Sequence, residues 1–301
     1  MVKNRHNYKL AEVMTQKKFY LLTDPSIICS YLVSKWIEAF EKMPEFQGIL
    51  VKEEVQSSKV ITERKNFHQK YFGQKHLTDE MYELLIDLYP GIEKTERAMI
   101  ERYGVSQYST TEHSQTIFLG DNLNGKYAKN WLMEVAENSS VFIFVCATQI
   151  LKPWWLEITK HQVFNCHTAV LPYARGMYAI ENLAINKNIN QFRQAAGVTI
   201  HYVDEGVDTG SIIRTERIVD PFRFNSIWDL KGYLYVTEFD LYVKTTQDIL
   251  SNNKTIPAGV APDPKLLGPN FMIKNFTPEK QKQAEDAYLW MKNSWRQPSI
   301  T

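Results

Sequence analysis

Cysteine is scarce in this chain, and no single sign of charge dominates. Cys29, Cys146 and Cys166 are the only three cysteines in 301 residues, widely spaced and without a C-x-x-C pair. An odd number at such spacing excludes a disulfide framework and speaks against a structural zinc site. The 35 basic and 34 acidic residues leave a formal charge of +1. Proteins that bind nucleic acid by neutralising many phosphates are clearly basic, so that class is set aside. Long apolar runs are missing too. The longest, Val141 to Ala147, has the length of a strand, far short of the roughly 20 residues a bilayer needs. The polar, basic N-terminus has no apolar stretch fit for a signal peptide. The expectation is a protein of a reducing compartment, the cytoplasm, without a membrane partner. A homodimer is left open.

Apolar residues make up 44% of the chain, enough for a full core. The length suits one large domain or two small ones. Residues 1–17 read as a loose arm. KFYLLTD (18–24) and FQGILVKEE (46–54) read as buried strands. Between them Ile28, Tyr31, Leu32, Trp36 and Phe40 recur at helical spacing. A strand–helix–strand start predicts a right-handed crossover and a parallel sheet. Residues 55–115 break that pattern, being polar, charged and helical in period. They read as a helical insertion, either a solvated helical pair or a grip for a substrate or partner.

The parallel pattern then resumes. QTIFLGD (115–121) reads as a strand or sheet edge, 124–140 as a helix, and VFIFVCA (141–147) as a central strand apolar on both faces. A short helix at 153–160 precedes the strand QVFNCHT (162–168), and another helix begins at 180. Residues 197–220 read as an antiparallel hairpin with an Asp/Gly-rich turn, and 226–250 as a helix. The main α/β unit therefore runs over 18–250. A C-terminal extension follows over 251–301, with one more helix at 277–293. The fold class is α/β: a Rossmann-like, mostly parallel sheet flanked by helices.

Two clusters carry chemistry. In F-N-C-H-T-A-V-L-P-Y-A-R-G (164–176), Asn165 and His167 are two apart on a strand and share a face. Ligands of open α/β sheets bind at the carboxyl ends of strands, which is where these polar groups fall. The second cluster is G-V-T-I-H-Y-V-D-E-G-V-D-T-G-S-I-I (197–213), with Asp204, Glu205 and Asp208 in a tight turn. Alone, such a turn is as readily a plain surface feature; it lacks the EF-hand pattern. His201, outside the N-x-H pair, reads as structural, as do His68, His76 and His113. Cys166 points away from its two neighbours and reads as a small core residue. Trp154 and Trp155 read as packing.

Together the clusters resemble the N10-formyltetrahydrofolate transferase family, whose pattern is N-x-H-x-x-x-L-P-x-x-x-G followed some forty residues later by G-V-T-x-H-x-V-D-E-x-x-D-x-G. The match covers about residues 141–215; residues 55–115 have no counterpart. The resemblance implies that Asn165 donates a hydrogen bond to the formyl oxygen as it becomes an oxyanion. It implies that His167 assists proton transfer and that Asp208 holds the histidine. The chemistry agrees: formyl transfer to an amine passes through a tetrahedral intermediate, which needs an aimed donor and a proton shuttle but no metal. By the same analogy Gln149, Ile150 and Leu151 form one wall of a pterin pocket, and Val203, Asp204 and Asp208 the other. Tyr173, Arg175 and Tyr178, near the catalytic strand end, are candidate acceptor contacts.

The departures from the family narrow the acceptor. The turn after the first strand, L-T-D-P-S-I (22–27), has no glycine and carries Asp24, which repels a phosphate. This counts against purine synthesis. The short tail, not strongly basic, counts against tRNA, and the short N-terminal segment against a regulated deformylase. What remains is formyl transfer from N10-formyltetrahydrofolate, as co-substrate, to a primary amine or hydroxylamine of a small molecule. An amino sugar on a nucleotide and an amino-acid side chain are the candidates. The alternatives are a formyltetrahydrofolate hydrolase and a non-catalytic binding protein on the same scaffold.

Overall fold

A computed structural model of the chain describes residues 16–89, 91–251 and 256–296; residues 1–15 of the expected arm lie outside it. In chain order the elements are β1 (Gln16–Thr23), α1 (Ile27–Phe40), β2 (Phe46–Val51), α2 (Ser58–Tyr71), α3 (Asp79–Leu88) and α4 (Lys94–Tyr103). Next come β3 (Thr116–Phe118), α5 (Lys126–Ala136), β4 (Ser139–Cys146), α6 (Pro153–Ile158), β5 (Val163–His167), β6 (Arg175–Gly176) and α7 (Ala179–Ile185). The chain continues through α8 (Ile189–Ala195), β7 (Gly197–Tyr202), β8 (Ile212–Arg217), α9 (Ile227–Ser251), β9 (Asn270–Phe271) and α10 (Pro278–Arg296). Helix α8 gave no separate signal in the sequence. Among the described residues, no helix is long and apolar enough to cross a membrane.

Seven strands form one sheet in the order β3-β2-β1-β4-β5-β7-β8. The pairs from β3 to β5 are parallel, and β5–β7 and β7–β8 are antiparallel. The sheet is therefore Rossmann-like and mostly parallel, with the hairpin at one edge and the short β3 at the other. Alternation explains why the central strands look apolar throughout. In β4, Phe142 and Phe144 enter one core, while Val141, Ile143 and Val145 enter the other. In β1, Phe19 and Leu21 divide from Tyr20 and Leu22 in the same way. Each face is covered by helices, so neither face of these strands meets water. The long α9 crosses behind the sheet against α1, α4, β5 and β7.

The segment between β2 and β3 is fastened by buried polar groups rather than by apolar area alone. Arg64 of α2 donates two hydrogen bonds, each 2.8 Å, to the carboxylate of Glu53, and a third, 2.9 Å, to the Leu88 carbonyl. His68 is fully buried. Its Nδ1 lies 2.8 Å from the Ser106 carbonyl oxygen, so Nδ1 carries the hydrogen, and its Nε2 accepts from the Tyr89 hydroxyl at 2.7 Å. Both ring nitrogens are thus satisfied in the neutral form. Burial pushes the imidazole down to about 4. His68 is structural, as the sequence reading has it.

This predicts an acid weakness. Between about pH 6.5 and about 4 the unfolded imidazole takes up a proton and the folded one does not. The unfolded state then binds more protons, so stability rises with pH across that window and is lost as pH falls. The contribution is on the order of 3 kcal/mol. Chemical denaturation at several pH values should show this slope for the wild type and a flatter one for His68→Gln. Equal slopes would place the titrating group elsewhere.

Candidate active site

The carboxyl end of β5 meets the β7–β8 loop at a cavity of about 500 Å³. Asn165 and His167 come from β5, His201 from β7, and Asp208 from the loop; all four line the cavity. The loop is shaped by its own residues. The Asp204 carboxylate accepts from the Gly206 N–H at 3.1 Å and from the Thr209 hydroxyl at 2.8 and 2.9 Å. At Gly210 an added Cβ would sit 1.8 Å from the Tyr202 carbonyl oxygen, so only glycine lets the strands close here. Asp208 itself adopts a left-handed φ of +50°, a conformation that a short polar side chain tolerates best. Its Oδ2 accepts the Gly176 N–H at 2.8 Å, which ties the second sequence cluster to the first.

Hydrogen-bond partners fix the ring states. His167 Nε2 lies 3.0 Å from the Ala174 carbonyl oxygen. A carbonyl only accepts, so Nε2 carries the hydrogen and Nδ1 is the basic nitrogen. Nδ1 faces Asp208 Oδ2 at 3.5 Å. Burial is the strongest influence on His167 and drives its proton off; Asp208 opposes it, and the imidazole stays below its ordinary value. Burial alone would raise the Asp208 carboxyl. The facing His167, the His201 hydrogen bond and charge, and the Gly176 N–H outweigh it and hold the group well below the usual carboxylate range. The resting site is a neutral imidazole beside a carboxylate, which stabilises an imidazolium whenever Nδ1 takes a proton.

His201 corrects the sequence reading. It is 2% exposed, yet it belongs to the cluster rather than to the core. Its Nδ1 donates to the Tyr202 carbonyl oxygen at 2.8 Å, leaving Nε2 to accept from Asn165 Nδ2 at 3.2 Å. His201 Nε2 also lies 3.5 Å from Asp208 Oδ1. One amide hydrogen of Asn165 is spoken for, which sets the orientation of the amide; the other has no partner among the described residues and is open to a ligand oxygen. Strand register decides this: Asn165 stands directly opposite His201 across β5 and β7.

Gln149, Ile150, Leu151, Val203, Asp204 and Tyr178 also line the cavity. The Gln149 side chain is bound to the 122–124 turn, through Leu123 N–H and Asn122, so this stretch presents a fixed backbone. Tyr173 and Arg175 are not among the lining residues. Arg175 donates instead to the Gly268 and Val207 carbonyls at 3.1–3.3 Å, fastening the C-terminal segment to the Asp208 loop. Two further segments reach the cavity: Gly91, Glu93, Thr95 and Glu96 from the helical segment, and Asn270 to Lys274 from the C-terminal one.

The wide cysteine spacing does not keep the thiols apart in space. Cys146 Sγ, Cys166 Sγ and a Glu238 carboxylate oxygen lie within 4.8 Å of one another, a donor set of the kind that holds a metal. Both thiols are pushed far above their ordinary range, Cys146 chiefly by the neighbouring Cys166 and Cys166 chiefly by burial. In the metal-free chain both are therefore thiols near neutral pH.

A family model described as formyl transferase matches residues 92–220. A methionyl-tRNA formyltransferase of Clostridioides difficile (strain 630) is 39% identical over 84 residues, 28% of this chain and 26% of that protein. The trifunctional purine biosynthetic protein adenosine-3 of Chironomus tentans is 28% identical over 117 residues, 39% of this chain and 8% of that protein. The chain thus spans 8% and 26% of the length of these two curated relatives. An N-formyltransferase of Helicobacter canadensis, solved with folinic acid and dTDP-3-aminofucose, shares the fold. Its TM-score is 0.50 at 16% identity, over 95% of this chain and 84% of that one.

The coupling of His167 and Asp208 is open to direct measurement. An NMR titration should place His167 below the free-imidazole value. Asp208→Asn removes the one charge that holds the proton on and should lower it further. A rise in that variant would mean that the two groups do not face each other.

Proposed function

We propose, from the match of residues 92–220 to the formyl transferase family, that this chain transfers a formyl group from N10-formyltetrahydrofolate to a primary amine or hydroxylamine of a small molecule. The observation that carries the reading is the convergence of an amide donor, a basic imidazole nitrogen and a carboxylate at one cavity. The stretch 149–151 and the loop 203–208 border that cavity, an apolar slot edged with polar groups that suits a flat pterin.

Each group has a distinct role. The amine nitrogen attacks the formyl carbon, and the carbonyl oxygen becomes an oxyanion. The free Asn165 Nδ2 hydrogen donates to that oxygen. His167 Nδ1 takes the proton released by the amine, and Asp208 stabilises the imidazolium. The bond between carbon and N10 then breaks, and the same proton passes from His167 to N10. A new amide and tetrahydrofolate leave. His201 is a positioning residue that holds the Asn165 amide. Acceptors in keeping with the sequence are an amino sugar on a nucleotide or an amino-acid side-chain amine.

Purified protein incubated with N10-formyltetrahydrofolate, with and without a panel of amines, tests this. Amine-dependent release of tetrahydrofolate is expected. Release without amine would make the protein a hydrolase, and no release in either case would remove the catalytic reading. Asn165→Ala, His167→Ala and Asp208→Ala should each lower kcat by about a hundredfold or more, the usual size of a lost oxyanion donor or proton shuttle. Near-wild-type rates in all three would overturn the assignment. Since these side chains supply both donor and base, EDTA should leave the rate unchanged; a loss would bring a metal into the step.

A further inference from the structure

The cavity is also lined by Glu181 of α7, Glu238 of α9 and Glu96 of α4, three buried acids that act together on Tyr235 and make an acidic inner end, while the exposed Glu93 stands near Glu181. Glu181 and Glu238 are 0% and 2% exposed. One oxygen of each, Glu181 Oε1 and Glu238 Oε2, is buried with no hydrogen-bond partner among the described residues. Such an oxygen is costly to bury unless something donates to it. Among the described residues Lys231 is the one cation at this end. Its Nζ donates to Thr168 Oγ1 at 2.6 Å and lies 3.5 Å from Glu181 Oε2, so it answers a single carboxylate. Around the whole cavity seven acidic side chains face two lysines, an imbalance that rejects anions and favours a cation.

We propose that the acceptor carries a second cationic group besides the amine that is formylated, a diamine or polyamine, and that Glu181 and Glu238 bind that second charge. The inference rests on the formyl-transfer reading to a small-molecule amine, but replaces the two acceptors that the sequence favours with a class that the acidic lining favours. Three observations converge on it. The two orphan oxygens need donors, and an ammonium brings three. The inner end holds more acid than its lysine can neutralise. Burial pushes Glu238 up to about 8 and Glu96 up to about 7, the direction expected of carboxyls buried without a full countercharge, and a cation beside them would favour their ionised forms. Glu93 and Glu96 come from the last part of the helical segment 55–115, which the formyl transferase match takes in from residue 92, beyond the 141–215 stretch that carried the resemblance in the sequence. On this reading the segment supplies acid to the acceptor end. A carboxylate or phosphate next to the reacting amine would meet these acids unpaired.

The test measures amine binding to the full chain saturated with a non-transferable folate analogue. The probes are straight-chain diamines of three to five carbons, the matching monoamines, ornithine, and a neutral methyl glycoside of an amino sugar. At least one diamine should bind about tenfold tighter than its monoamine and than ornithine. Equal or tighter binding of the monoamine, of ornithine or of the amino sugar overturns the proposal, and so does failure of every diamine to bind. Glu181→Gln should shrink the diamine-over-monoamine ratio at least about fivefold. Glu93→Gln, at an exposed position where the amide oxygen can still cap α4, should shrink it to a lesser extent; an unchanged ratio in both variants also overturns it. Failure of the broader reading looks different. In that case the folate analogue itself does not bind, or formyl-folate is never consumed, whatever the order of the amines.

Discussion

The antiparallel pairing of β5 with β7 is the constraint on which the site depends. It sets Asn165 opposite His201 and brings the end of β5 beside the loop that carries Asp208. A shift of one residue would turn Asn165 and His167 to the other face of the sheet. The bond from Gly176 N–H to Asp208 then closes the arrangement, because it joins the loop after β5 to the loop after β7. Neither loop could hold the carboxylate in place by itself.

Burial gives these few groups their chemistry. In water a histidine and an aspartate at 3.5 Å interact weakly; in a site closed to solvent each sets the other's charge. Burial takes the proton from His167 and leaves a base. The two imidazoles and a main-chain N–H keep Asp208 ionised. The same low dielectric makes the inner end of the cavity unusual, since carboxylates there have oxygens without a donor among the described residues. The cavity thus gathers an amide donor, a basic imidazole nitrogen and a carboxylate in one place, and partly unpaired carboxylates in another.

The segments that look accessory complete the walls. Helix α4 of the 55–115 region and the turn before it bring Glu96 and Glu93, and the C-terminal segment brings Asn270 to Lys274. Both are held by main-chain partners of charged side chains: Arg64 to the Leu88 carbonyl, and Arg175 to Gly268 and Val207. Arg175 illustrates the limit of reading a site by proximity in sequence. A basic residue next to the catalytic strand reads as an anion grip, but main-chain carbonyls from two other segments claim its guanidinium.

Local order was legible because it follows from short-range physics. The period of two in β1 and β4, the helical spacing of α1 and α9, and the shared face of Asn165 and His167 need only neighbouring residues. The spacing between the two clusters carried the resemblance, and with it Asp208. What the sequence could not disclose is which distant groups meet. The place of His201 beside Asn165, the gathering of Cys146 and Cys166 against Glu238, and the release of Arg175 from the cavity all depend on strand register and on the path of α9. So does the acidic inner end, whose members come from α4, α7 and α9. Tertiary structure decided these because charge states and hydrogen-bond partners are set by what burial brings together, and burial is a property of the whole packed chain.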